Sequence, residues 1–76
     1  MDENNEQIFI FKSDIKTKTD VRFLQRFLDI HPRIKQWSVD TGDVDHVLRI
    51  VTATLTERSI TDLISRCGYS CEMLKD

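Results

Sequence analysis

The chain has 76 residues, of which 39% are hydrophobic and 32% charged, and its formal net charge is -2. One domain with a small core fits this length, and the composition is that of an ordinary globular protein, which excludes a disordered or membrane-embedded chain. The net negative charge and the scattered basic residues argue against a nucleic-acid partner, because nucleic-acid-binding domains usually carry a basic surface.

The ends of the chain indicate a single domain without a targeting segment. Residues 1–7 hold no apolar side chain beyond Met1, so we expect a disordered, solvated tail there and one domain over residues 8–76. No apolar run approaches the roughly 20 residues of a spanning helix, and the first residues lack the basic and then apolar pattern of a signal peptide. We therefore expect a cytoplasmic protein with no membrane partner and with reduced cysteines.

The first half of the chain predicts a strand followed by a helix. Residues 8–11 are a short apolar run of β-forming side chains, typical of a central strand. Thr17 or Thr19 can cap the helix that follows, and this helix should end at about Ile30, because a residue before a proline such as Pro32 is pushed out of the helical region. The face that we expect in the core carries Val21, Leu24, Phe27 and Leu28.

The second half predicts a hairpin, a helix and a last strand. Residues 34–51 alternate between polar and apolar side chains, turn at residues 41–43 and return as a β-branched run. A second helix begins after Thr56 and ends at Gly68, where a left-handed residue is needed, and residues 69–74 form the last strand. The expected inward side chains are Trp37, Val39, Leu48 and Ile50 of the hairpin and Ile60, Leu63, Ile64 and Cys67 of the helix.

This order of elements predicts an α+β fold, the ferredoxin-like βαββαβ sandwich. Each strand-helix-strand half makes a right-handed crossover, so both helices lie on one face of a four-stranded antiparallel sheet with the strand order 4-1-3-2. The other face of the sheet is open to solvent.

The open face is the predicted interaction surface. We expect Phe9 and Phe11 to point outward from the first strand, beside Val47, Arg49 and Val51 of the third, as an exposed apolar patch. A protein partner or a homodimer fits such a patch. RNA does not, because the basic-glycine-aromatic signature of RNA-recognition sheets is missing. A register change of one residue would instead bury both phenylalanines.

Four short patterns carry a family resemblance. They are Pro32-Arg33-Ile34, Trp37-Ser38-Val39-Asp40, Leu48-Arg49-Ile50, and the run from Ile60 through Leu63-Ile64 to Gly68-Tyr69. In this spacing, residues 8–74 resemble the heavy-metal-associated domain, the βαββαβ module of copper chaperones and metal-pumping ATPases. The resemblance implies the same fold.

The resemblance also identifies a metal loop, which this chain lacks. The family binds metal through Met-x-Cys-x-x-Cys between the first strand and the first helix, and the matching positions here are Ile15, Thr17 and Asp20. A soft ion such as Cu(I) needs thiolate sulfur. We therefore expect Thr17 and Asp20 to cap the helix, and we expect neither a metal nor another cofactor. Tyr69 falls where the family keeps an aromatic or a lysine, and we expect it to pack under Ile15.

The remaining candidate ligands are Cys67, Cys71, His31 and His46. We expect Cys67 to be a buried thiol in the helix stripe, whereas Cys71 lies on an edge strand and could be exposed. We expect His31 at the C-terminal end of the first helix. We expect His46 in a solvated acidic turn, because the calcium-loop pattern is absent. That turn also contains Asp40, Asp43 and Asp45.

These observations favour a non-catalytic binding module. The sequence has no nucleophile elbow and no phosphate loop, so we do not expect an enzyme. We expect the module to act through the open sheet or through the loop surface around Ile15 and Tyr69. The alternative is a copper- or zinc-handling protein with rearranged cysteine and histidine ligands. A ligand-sensing domain on the same fold would need a dimer, and no residue indicates its ligand.

Overall fold

In the computed structural model, which describes residues 6–74, two helices pack on one face of a four-stranded antiparallel sheet. The elements are β1 Gln7–Ser13, α1 Lys18–Leu28, β2 Gln36–Asp40, β3 Val47–Thr52, α2 Glu57–Arg66 and β4 Cys71–Met73. The sheet has the order β2-β3-β1-β4, so the predicted ferredoxin-like fold and its strand order are confirmed. Gln7 of the predicted tail belongs to β1, whereas residues 1–5 of that tail and the last two residues of the chain lie outside the described part.

The core lies between the sheet and the two helices. Leu24 of α1 and Ile60 and Ile64 of α2 are fully buried, and they pack with Leu48 and Ile50 of β3. Each such side chain stabilises the fold by about 1.5–3 kcal/mol. The predicted inward positions in both hairpin strands and in α2 are confirmed. The members of those sets that are only partly buried are Trp37, Val39, Leu63 and Cys67.

The first strand has the register opposite to the prediction. Phe11 is fully buried and Phe9 is 9% exposed, and both belong to the core. They lie directly opposite Leu48 and Ile50 of β3, and side chains that face each other across antiparallel strands point to the same side of the sheet. This register also keeps the charge of Lys12 in solvent, where burial does not penalise it. The predicted outward position of the two phenylalanines is therefore wrong.

The open sheet face is consequently less apolar than expected. Ile8 is 54% exposed, but Val51, which pairs with it, is only 7% exposed. Val47 is partly buried, and Arg49 is exposed opposite Ile10. Without the two phenylalanines, the accessible apolar surface of this face is small, and it lies beside the positive charge of Arg49.

The first helix ends earlier than predicted, and one of its predicted core residues lies outside. Asp29 forms the C-terminal cap, so Ile30 is beyond the helix. Phe27 is 42% exposed, although it was predicted on the core face. Leu24 and Leu28 face the sheet, and Phe27 is rotated about 100° from Leu28 around the helix axis, which turns its ring toward the outer side.

The second helix matches its predicted signals. The Thr56 side chain accepts a hydrogen bond from the backbone N–H of Ser59, as an N-terminal cap does. Gly68 has a φ of 96°, a conformation that other residues adopt only with strain, so it ends the helix as predicted. In the described part of the chain, neither helix has the length and apolar character needed to cross a bilayer.

Candidate functional site at the start of the first helix

The loop before α1 is organised as a helix cap. The Thr17 hydroxyl accepts a hydrogen bond from the backbone N–H of Asp20 (3.1 Å), and the Asp20 carboxylate accepts one in return from the backbone N–H of Thr17 (3.1 Å). This reciprocal pair is a capping box, which satisfies backbone donors that the first helical turn leaves free. Ile15 is fully buried below the loop. The predicted capping role of Thr17 and Asp20 is therefore present in the structure.

The Asp20 carboxylate is also the centre of a wider network. Its Oδ2 atom accepts hydrogen bonds from the Thr17 hydroxyl (2.9 Å) and from the backbone N–H of Lys16 (3.3 Å). Its Oδ1 atom accepts a hydrogen bond of 2.7 Å from the Tyr69 hydroxyl, 49 residues along the chain. Tyr69 packs against the core that contains Ile15, so the two loops at this end of the domain are tied together.

The same network shifts two pKa values in opposite directions. The hydrogen bond from Tyr69 and then that from the Thr17 hydroxyl lower the pKa of Asp20 below its ordinary value of 3.8. The hydrogen bond to Asp20, followed by burial and by nearby negative charge, raises the pKa of Tyr69 above its ordinary value of 10.0. The stable pair is thus a carboxylate and a neutral phenol.

We expect the titration of Tyr69 to depend on the charge of Asp20. Tyr69 is the chain's only tyrosine, so its ultraviolet absorbance reports this group directly. Asp20→Asn removes the negative charge and should lower the pKa of Tyr69 toward 10.0. Asp14→Asn is the matched control, because Asp14 makes a smaller contribution to the same shift. An unchanged titration in Asp20→Asn would contradict the contact.

The signs of these shifts define a pH window for stability. Stabilisation by the lowered pKa of Asp20 is present above its ordinary value and is lost as the pH falls through the lowered value. Stabilisation by the raised pKa of Tyr69 is present below its ordinary value and is lost as the pH rises through the raised value. The contact therefore contributes fully across the neutral range.

The donor set of this loop does not fit a soft metal ion. The two positions that match the family's cysteines carry a hydroxyl and a carboxylate, and the hydrogen bonds just described engage both groups. Cu(I) prefers sulfur ligands, which neither side chain supplies. Within residues 6–74, no group of three or more histidine, cysteine or acidic side chains has an arrangement that could hold a metal ion.

The two cysteines are partly buried and have raised pKa values. Cys67 is the C-terminal cap of α2, and burial raises the pKa of its thiol. Burial, and then the negative charges of Asp14 and Glu57, raise the pKa of Cys71 to about 11. Both thiols are therefore protonated at neutral pH, whereas metal binding requires the thiolate. The two residues flank the α2–β4 connection and pack against the core.

The two histidines belong to turns. His31 follows the C-terminal end of α1, and its Nδ1 atom accepts a hydrogen bond from the backbone N–H of Arg33 (3.1 Å). His46 has a φ of 45° in the β2–β3 turn, and its carbonyl accepts a 2.6 Å hydrogen bond from the Ser13 hydroxyl. Its buried Nδ1 atom has no hydrogen-bond partner within residues 6–74.

The acidic side chains of that turn make local contacts. The Asp40 carboxylate accepts a hydrogen bond from the backbone N–H of Gly42 (3.1 Å), and the Asp43 carboxylate accepts one from the backbone N–H of Asp45 (2.8 Å). Side-chain-to-backbone bonds of this kind stabilise turns. Asp40 and Asp43 therefore have a structural role in the hairpin connection.

Sequence reasoning missed an exposed aromatic pair on α1. Phe23 and Phe27 are 41% and 42% exposed, with ring centroids 5.3 Å apart in an edge-to-face arrangement. The Phe23 ring also lies 6.3 Å from that of Tyr69, next to the capped loop. A signal was present in the sequence, because the Phe23–Phe27 pair repeats the four-residue spacing of Leu24–Leu28 one position earlier. Two such rows cannot both occupy the centre of the buried face.

Comparisons with known proteins show a shared fold. No protein-family model matches the chain, and no curated protein matches it. Among solved structures, a chain from "Crosstalk between Cu(I) and Zn(II) homeostasis" is 16% identical and has a TM-score of 0.75. The match covers 90% of this chain and 99% of that one. A chain from "Solution structure of the Atx1-Cu(I)-Ccc2a complex" is 18% identical with a TM-score of 0.75, over 91% of this chain and 96% of that one. This chain therefore shares the ferredoxin-like fold of these structures.

Proposed function

We propose that this chain is a non-catalytic, cytoplasmic protein-binding module with a heavy-metal-associated-like fold, in which the loop before α1 is a helix cap and not a soft-metal site. The observation that carries the proposal is the state of Asp20. Both oxygens of its carboxylate are engaged by hydrogen bonds at a position that the resemblance assigns to a metal-binding cysteine. A metal ion there would have to displace those bonds and would gain no sulfur ligand.

The surface beside this loop supports a binding role. Phe23, Phe27 and Tyr69 form a continuous row of aromatic rings, and the two phenylalanines are more than two-fifths exposed. Aromatic side chains are enriched at protein interfaces, so an exposed row of rings is consistent with a surface that binds a partner. The Asp20–Tyr69 hydrogen bond holds the loop end of this surface in one arrangement.

The similar structures bear on the proposal through their fold. One of them is a complex that contains Atx1, Cu(I) and Ccc2a. For the present chain we infer that protein contact is retained on this fold, whereas the thiols that a soft metal requires are missing from the loop. Metal handling by rearranged ligands would have to use Cys71 with Cys67 or a histidine, and the raised pKa values of both thiols disfavour it.

Native mass spectrometry of the reduced chain with stoichiometric Cu(I) or Zn(II) tests the absence of a metal site. We expect the unmodified chain to remain free of tightly bound metal. The matched variant Thr17→Cys/Asp20→Cys introduces two thiols at the loop positions identified by the resemblance, and we expect it to bind one Cu(I) ion because the ion then finds two sulfur ligands.

Two outcomes would contradict this expectation. A tight one-to-one adduct of the unmodified chain that disappears in Cys71→Ser would establish the rearranged metal site instead. A double-cysteine variant that folds but ignores Cu(I) would show that the loop geometry, and not its donor set, excludes the ion. Circular dichroism of each variant verifies that it is folded.

A further inference from the structure

Two rows of side chains run along the outside of α1. Lys18, Arg22 and Arg26 are four residues apart, and Phe23 and Phe27 form the adjacent row. Side chains with this spacing lie about 6 Å apart on one side of a helix. All five are exposed, and together we name them the α1 outer face.

The positive charge of this face has no partner within the described residues. The ion pair found in residues 6–74 joins Lys35 to Glu6, and no carboxylate pairs with Arg22 or Arg26. Within the described residues, the acidic groups at the two ends of α1 form no ion pair with these cations and bond to other groups. Asp20 bonds to Tyr69 and to the capped loop, and Asp29 accepts a 2.8 Å hydrogen bond from Nε1 of Trp37.

The arrangement is locally unfavourable in the isolated domain. Like charges four residues apart repel each other, and two half-exposed phenylalanine rings leave apolar surface in water. A partner with carboxylates opposite the arginines and apolar side chains opposite the rings would reduce the charge repulsion and would remove the apolar surface from water. Arginine is well suited to this, because its guanidinium group can bind a carboxylate through two parallel hydrogen bonds.

We propose that the α1 outer face binds an acidic amphipathic helix of a protein partner, an inference that rests on the protein-binding function proposed above. The partner must present an apolar row and a carboxylate row side by side at the same spacing. A helix does so when each row repeats every four residues, whereas neighbouring side chains of a strand point to opposite faces.

The test begins with selection of a random-peptide phage library on the full chain. We expect enriched peptides to carry leucine or aromatic residues four apart, next to aspartate or glutamate at the same spacing. A synthetic peptide of the enriched sequence is then titrated by fluorescence anisotropy. Phe23→Ala should weaken its binding about tenfold or more, as is usual for a central aromatic anchor. Ile8→Ala, on the open sheet face, is the matched control and should leave the affinity unchanged.

A charge exchange distinguishes direct pairing from a general loss of structure. Arg22→Glu/Arg26→Glu should weaken binding of the acidic peptide about tenfold or more, and a peptide with lysines in place of its acidic residues should recover affinity for this variant. Recovery requires a folded variant, so a misfolded one cannot imitate the result.

Each of the following outcomes would overturn the proposal. The first is a library that yields no enriched peptide, and the second is a set of enriched peptides that bind the Phe23→Ala and charge-reversed variants as tightly as they bind the unmodified chain. The third is binding that occurs only to phosphatidylserine vesicles. If only Ile8→Ala abolished peptide binding, the α1 outer face would not be the binding surface, although the protein-binding function would be supported. A tight Cu(I) adduct of the unmodified chain would overturn the metal-free function independently of the peptide result.

Discussion

Replacement of Phe11 by alanine is expected to leave most of the protein unfolded at room temperature. The Phe11 side chain is fully buried between the sheet and the helices, and it lies opposite Leu48 of β3 and beside the Phe9 ring. Truncation of a buried phenylalanine costs about 3–5 kcal/mol, because apolar contact is lost and a cavity remains. A domain of this size usually has a net stability of only about 3–5 kcal/mol from its core, so the loss is comparable with the whole. Urea unfolding followed by circular dichroism measures the change.

Ile8→Ala on the same strand is the control for this prediction. Ile8 lies on the other side of the sheet and is 54% exposed, so its truncation should change the free energy of unfolding by only about 0.5 kcal/mol. A larger loss from Ile8→Ala than from Phe11→Ala would mean that β1 has the reverse register. Because a shift of one residue exchanges the two faces, the pair of variants discriminates sharply between the two arrangements.

The second large effect is expected at Thr52, a buried polar residue at the end of β3. Its hydroxyl donates a hydrogen bond to the carbonyl of Arg33 and accepts bonds from the backbone N–H groups of Thr54 (3.3 Å) and Leu55 (3.2 Å). Thr52→Val keeps the shape but leaves these groups without their partner, which should lower the free energy of unfolding by about 1–3 kcal/mol. Differential scanning calorimetry should show a midpoint lower by roughly 4–8 °C for each kcal/mol lost.

Thr52→Ser is the informative comparison, because it retains the hydroxyl and removes only a methyl group. We expect it to be less destabilising than Thr52→Val, since the three backbone contacts can persist. If serine proved worse than valine at this position, methyl packing and not hydrogen bonding would be the main contribution of the side chain. The residue connects the loop before β2 to the loop before α2, so its loss should also expose both loops to faster hydrogen exchange.

The contacts related to function lie at the surface, and they contribute less to the free energy of unfolding than the buried side chains of Phe11 and Thr52. The Asp20–Tyr69 hydrogen bond joins the first turn of α1 to the α2–β4 connection, and the α1 outer face lies in solvent. Variants of either should therefore fold, which makes them suitable for binding experiments. Core variants, in contrast, report on stability and cannot separate it from binding.

The sequence alone determined the order of the elements and most of their ends. Local chemistry is sufficient for this, because Thr17 and Thr56 cap helices through contacts three residues away and Gly68 supplies a left-handed conformation without help from the rest of the chain. The crossover rule then led to the strand order. That the loop before α1 contains no cysteine was equally visible as a matter of residue identity.

Only the tertiary structure decided which side chains are presented to a partner. In β1, phenylalanine and isoleucine alternate with similar hydrophobicity, so the pattern could not distinguish its two faces until pairing with Leu48 and Ile50 turned Phe9 and Phe11 inward. In α1, the leucine pair and the phenylalanine pair have the same spacing, and the sheet accepts only one of them. The Asp20–Tyr69 contact spans 49 residues, so no local pattern contained it. Each of these choices depends on which surface the rest of the chain places opposite, and that is a property of the assembled fold.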